Sequence, residues 1–180
     1  MSIKVDYDAI VVGAGFAGLA LIHHLKKIGI SVKVFDRATD IGGTWTWNRY
    51  PGAATDSEGY YYCLSFSKEI MQEWTWSERY PGREETQRYL HFVADKCDMW
   101  PNIQLNTEII SADFQNDSGI WLVKTQDGKE FTSKYFVSAM GMISQPVVPS
   151  IKGREKFDGP CFHSSRWPQE GLDYKGKKVG

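Results

Sequence analysis

The sequence predicts an α/β fold built on a parallel sheet with a smaller antiparallel addition. Three observations predict it. Residues 8–18 (DAIVVGAGFAG) read as a buried strand, a tight turn and the start of a helix, with Gly13, Gly15 and Gly18 spaced G-x-G-x-x-G. A helical stretch then leads to a second apolar strand that ends in an acid, Asp36. Residues 103–139 switch to short β-like runs separated by turn residues.

The first unit is Rossmann-like. Residues 9–12 are continuously apolar, as suits a parallel strand covered on both faces. Gly13 permits the sharp turn, Gly15 lets backbone approach a pyrophosphate, and Gly18 lets helix pack on strand. The helix N-terminus offers unpaired N–H groups and about half a positive charge to phosphates. Residues 19–28 carry apolar residues at helical spacing, and Gly29 stops them. Residues 31–35 form the second strand. Asp36 stands about 20 residues beyond the glycines, where a carboxylate accepts from a ribose hydroxyl. An adenine dinucleotide is the ligand this pattern predicts.

Residues 37–66 show little periodicity and read as a long functional loop. Gly42-Gly43 lets backbone press against a ligand, and Asp56 sits among glycines and aromatics. Residues 67–82 are aromatic and polar, with Trp74 and Trp76 expected in a lid or an interface. Residues 86–99 form an amphipathic helix that Pro101 terminates. Strands are expected at 103–105, 108–114, 120–125 and 131–139, with an Asp-Gly hairpin turn at 126–129. Residues 135–139 are expected to return to the parallel sheet. Residues 144–180 are rich in proline, glycine and charge, and 175–180 resemble the entry to another strand.

Bulk properties narrow the function. The formal charge of −1 over 180 residues gives no electrostatic case for nucleic acid or a membrane surface. No signal peptide and no spanning segment are expected. Three widely spaced cysteines suggest a reducing cytoplasm, with neither a disulfide framework nor a metal site.

Residues 157–168 (FDGPCFHSSRWP) match F-x-G-x-x-x-H-x-x-x-W-P in full, through Phe157, Gly159, His163, Trp167 and Pro168. With Gly42-Gly43-Thr44-Trp45, Asn48-Arg49-Tyr50-Pro51-Gly52 and Asp56, the chain resembles the Baeyer–Villiger monooxygenases, flavoproteins of the cyclohexanone and phenylacetone type. The resemblance runs from residue 8 to the end. It implies an FAD-binding domain with a parallel sheet and a β-meander insertion over residues 1–143. Residues 144–180 would be the interdomain linker and the first strand of an NADPH-binding domain.

The resemblance also implies an oxidoreductase that uses FAD and NADPH. It would insert one atom of O2 beside a ketone carbonyl, through a flavin C4a-peroxide, to give an ester or lactone. By the same resemblance Gly13, Gly15 and Gly18 hold the FAD pyrophosphate and Asp36 the adenosine ribose. Gly43, Thr44 and Trp45 run along the flavin, Tyr62 is its aromatic neighbour, and Ile109 meets the adenine. Phe16, Ala17, Arg37, Met140 and Gly141 complete the expected cofactor site. Asp56 is expected near the flavin and nicotinamide, and His163, with Trp167, couples domain motion to oxygenation. The family's second glycine motif and its catalytic arginine would lie further along a longer chain, so the missing C-terminal segments are expected to be needed. The alternatives are a catalytically incomplete FAD-binding fragment and a related flavin monooxygenase acting on nitrogen or sulfur. A disulfide reductase would want a C-x-x-x-x-C pair near residues 42–52, and there is none.

Overall fold

The computed structural model describes residues 4–180. Its principal elements are β1 (Tyr7–Val12), α1 (Phe16–Lys27), β2 (Val32–Phe35), α2 (Thr44–Trp47) and α3 (Lys68–Glu73). They continue with α4 (Arg83–Lys96), β3 (Ile103–Gln104), β4 (Ile109–Gln115), β5 (Ile120–Thr125) and β6 (Glu130–Ser138). The strands form one six-stranded sheet in the order β3-β2-β1-β6-β5-β4.

Two halves of different character meet in β6. Its first residues pair antiparallel with β5, from Lys124↔Glu130 to Trp121↔Ser133. Its later residues pair parallel with β1, from Tyr7↔Ser133 to Val12↔Ser138. The expected meander and the expected return to the parallel sheet are therefore one continuous strand. Asp8 locks this junction. Its carboxylate accepts from the Ser31 backbone N–H at 3.0 Å and Ser31 Oγ at 2.7 Å, and pairs with Lys134 Nζ at 2.7 Å.

Strand alternation divides the core between the two sheet faces. Ala9, Val11 and Val34 face one way, against Leu19 and Ile22 of α1 and Tyr89, Leu90 and Val93 of α4. Ile10 and Phe35 face the other way and cluster with Val123, Phe131 and Phe136 of the meander. Leu90 is fully buried, so Leu90→Ala there costs about 2–5 kcal/mol.

Some elements depart from the sequence pattern. Trp74 and Trp76 are not a lid. Their rings pack on buried Tyr89 at centroid distances of 5.4 and 5.0 Å. The short α3 was invisible to periodicity because it is barely more than one turn; Ser67 Oγ caps it, accepting from the Ile70 N–H at 3.4 Å. The expected strand at 175–180 does not form. A turn occupies 175–176, the rest is irregular and exposed, and no strand lies beside it among the described residues. Among those residues no helix is long and apolar enough to cross a membrane.

Candidate functional site

A cavity of about 520 Å³ opens at the C-terminal ends of β1, β2 and β6, where Val12, Asp36 and Ser138 meet. This is where open α/β sheets place their ligands. Gly13 makes the turn at φ +111, and a Cβ there would lie 2.4 Å from the Ala139 carbonyl oxygen. Gly18 sits behind the cavity; its Cβ would lie 2.0 Å from the Gly13 carbonyl oxygen, so its absence lets α1 close onto β1. Gly15 differs from both. Its Cβ would meet Gly43 Cα at an ordinary 3.5 Å, in the narrow gap between two cavity-lining backbones.

The N-terminus of α1 is open. Gly15 is its N-cap, no side chain caps it, and its first turn has no acid. Among the described residues the amides of Gly15, Phe16 and Ala17 find no backbone or side-chain acceptor, while the Leu19 N–H closes the first helical bond to Gly15. Three donors and the positive end of a twelve-residue helix thus face the cavity. Asp36 stands beside them, buried, accepting from the amides of Ala14 at 2.7 Å and Ala38 at 2.8 Å. These donors and this acid fit the phosphates and a ribose hydroxyl of a dinucleotide.

Aromatic rings build the opposite wall. Tyr62 meets Phe16 and Trp45 edge-on, at centroid distances of 5.0 and 5.6 Å. Burial pushes the Tyr62 phenol above its usual range. The Gly42-Gly43 turn is anchored from below by Gln87, whose amide donates to the Ile41 carbonyl and, at 3.1 Å, to Asp40 Oδ2. His91 Nε2 meets Asp40 Oδ1 at 2.9 Å, so α4 holds this loop in place.

Of the cofactor residues expected from sequence, Gly13, Gly15, Phe16, Ala17, Asp36, Arg37, Gly43, Thr44, Trp45, Tyr62, Ile109, Met140 and Gly141 all line this one cavity. Gly18 serves it from behind. Asp56 does not belong to it: its side chain is exposed. The Thr55 N–H donates to the Pro81 carbonyl, and the Ala54↔Gly82 bridge ties this segment to the start of α4, while the Asp56 charge still acts on Tyr62 of the cavity wall. His163 is also outside the lining. Its Nδ1 accepts from the Ser165 N–H at 3.1 Å and lies 3.0 Å from Ser165 Oγ, capping the turn Ser164–Arg166. Trp167 and Pro168 line a separate cleft of about 330 Å³ with Arg49 and Arg83. Burial first, and then Arg49, lower the pKa of Arg83 there.

The sequence reading missed Trp47, Glu108, Ser144, Ser165 and Arg166, which also line the cavity. Two guanidinium groups lie over the Trp47 ring, Arg166 at 4.9 Å and Arg37 at 5.5 Å from its centroid. Arg37 is itself paired with Glu108 at 3.5 Å and donates to the Ser144 carbonyl at 3.0 Å. Two tryptophans in a T-W-T-W run were a possible signal for a cavity wall, but only the fold brings residue 166 to residue 47.

The family model described as pyridine nucleotide-disulphide oxidoreductase matches residues 10–179. Acetone monooxygenase (methyl acetate-forming) from Gordonia sp. (strain TY-5) is 44% identical over 96% of this chain and 32% of its own length. Phenazine N-monooxygenase from Lysobacter antibioticus is 44% identical over 98% of this chain and 33% of its own. The solved structure of OTEMO in complex with FAD and NADP superposes with a TM-score of 0.87 at 36% identity, covering 94% of this chain and 32% of that one. Other relatives are named cyclohexanone 1,2-monooxygenase and Baeyer-Villiger monooxygenase. The chain spans about a third of the length of the curated relatives it matches.

Proposed function

Because this chain belongs to the pyridine nucleotide-disulphide oxidoreductase family, we propose that it is the FAD-binding portion of an NADPH-using Baeyer–Villiger monooxygenase. Residues 1–143 form the FAD-binding unit in this reading, and residues 144–180 the linker towards an NADPH-binding domain. The observation that carries it is the uncapped start of α1 facing the same cavity as buried Asp36. The disulphide chemistry in the family's description is not part of the proposal, since Cys63, Cys97 and Cys161 are free thiols.

FAD, reduced by NADPH, supplies the electrons by which one oxygen atom of O2 enters beside the ketone carbonyl and the other leaves in water. This chain's residues bind and orient it. The amides of Gly15, Phe16 and Ala17 hold phosphate oxygens, and the helix end offsets their charge. Asp36 accepts from the adenosine ribose. Ile109 borders the adenine, and Thr44, Trp45 and Tyr62 line the flavin side and exclude water, which strengthens every polar contact inside. The name of the Gordonia relative, which turns acetone into methyl acetate, supports ketone-to-ester chemistry. The arginine implied by the family resemblance has no assigned counterpart among these residues.

A second reading, oxidation of a ring nitrogen, is favoured by the phenazine N-monooxygenase, which is as similar as the acetone enzyme. The experiment separates the two in order. A visible flavin absorbance band that survives desalting supports the FAD site, and its absence overturns it. In the longer protein of which this reading makes the chain a portion, NADPH oxidation dependent on a simple ketone then supports the first reading, and dependence on phenazine alone supports the second.

A further inference from the structure

We infer that Arg166, at a position the F-x-G-x-x-x-H-x-x-x-W-P pattern leaves unspecified, is a further cofactor-binding residue, supplying positive charge for the pyrophosphate, and that His163 is its positioning residue. This inference rests on the FAD reading above.

The charges of the cavity point to it. Four charged side chains line the cavity: Asp36, Glu108, Arg37 and Arg166. Arg37 is neutralised by Glu108. Asp36 is held by two backbone amides. Arg166 has no carboxylate partner among the described residues; its hydrogen bond is from Nη1 to the Ser165 carbonyl at 3.3 Å. Its guanidinium carbon lies over the Trp47 ring, 4.9 Å from the centroid, a cation–π contact that holds the group at the cavity wall, and its one hydrogen bond leaves further N–H donors for an anion. A pyrophosphate brings the opposite charge, and planar guanidinium donors match its oxygens.

His163 sets where that guanidinium is. Its Nδ1 does what an asparagine or serine oxygen does at a helix start, taking the N–H of the residue two further on. Ser165, itself buried, lines the cavity beside Arg166. Histidine thus acts through a turn, with no contact to the reacting atoms.

The test is FAD binding to the apoprotein by titration calorimetry at low and high salt, with riboflavin, which lacks phosphate, as the neutral control. Arg166→Gln weakens FAD binding roughly tenfold at low salt, the size of one charge-assisted hydrogen bond. It also flattens the salt dependence and leaves riboflavin unchanged. His163→Ala loses part of the same affinity, and His163→Asn, a capping residue of matching reach, restores it. Equal FAD affinity and equal salt dependence in wild type and Arg166→Gln overturn the inference. So does equal loss of FAD and riboflavin, which marks Arg166 as a packing residue only. Failure of the unaltered protein to bind FAD at any salt overturns the flavin reading itself.

Discussion

The Ala14 backbone N–H donates to Asp36 Oδ2 at 2.7 Å. This bond joins the glycine turn after β1 to the acid that ends β2, and the second carboxylate oxygen takes the Ala38 N–H at 2.8 Å. The acid proposed as the ribose acceptor is thus also a structural clip. Asp36→Ala leaves two amides without their acceptor in a buried place, at about 1–3 kcal/mol each. The variant is expected to unfold at a lower denaturant concentration and to lose FAD. Unchanged denaturation midpoints would remove the structural half of this argument.

Gly15 and Gly18 are expected to separate binding from folding. Gly15→Ala adds a methyl group at ordinary contact distance from Gly43, so the apoprotein should keep its melting temperature while the phosphate gap is filled. Gly18→Ala drives a methyl group onto the Gly13 carbonyl and should destabilise the apoprotein by 1–3 kcal/mol or so, as overpacking does. Thermal melts without FAD, followed by flavin retention on desalting, distinguish the two.

Burial holds the Tyr89 phenol up at about 12, against 10.0 for a free one. The unfolded chain therefore releases this proton first. The contribution of this group to stability should be constant below pH 10 and fall away as pH rises from 10 towards 12. Tyr89→Phe should flatten that fall. It also leaves the Leu64 N–H, 2.7 Å from the phenol oxygen, without an acceptor, at about 1–3 kcal/mol below pH 10. Urea unfolding at several pH values reads both effects.

Asp8 behaves in the opposite sense. The Lys134 ammonium and the Ser31 hydroxyl and amide hold its carboxyl well below the usual 3.8. The unfolded chain takes up this proton first as pH falls, so the contribution is present above about pH 4 and lost below it. Asp8→Asn should reduce the acid sensitivity of folding, measured by circular dichroism between pH 5 and 2.

Local pattern made half of this molecule legible. The glycine turn, α1 and both flanking strands follow from spacing within some thirty residues, and the Asp-Gly hairpin from the turn itself. What stayed hidden depends on contacts between distant segments. Trp74 and Trp76 read as part of a lid or an interface because nothing local reveals that α4 presents Tyr89 to them. Asp56, expected from its glycine-rich surroundings, stands exposed outside the lining, yet close enough for its charge to act on Tyr62 of the cavity wall. Arg166 was a blank in a motif until the fold set it on Trp47.

The placement of β1 has a consequence for how the protein is made. It is the earliest described strand, and it lies inside the sheet with β2 on one side and β6 on the other. During translation its β2 edge is satisfied early. Its other edge waits until Ser133–Ser138 emerge, roughly ten seconds later at ordinary ribosome speed. For that interval the nascent chain displays an apolar strand with open hydrogen-bonding groups, a template for misassociation. The meander closes locally and quickly, so docking β6 beside β1 is the long-range step that ends this exposure.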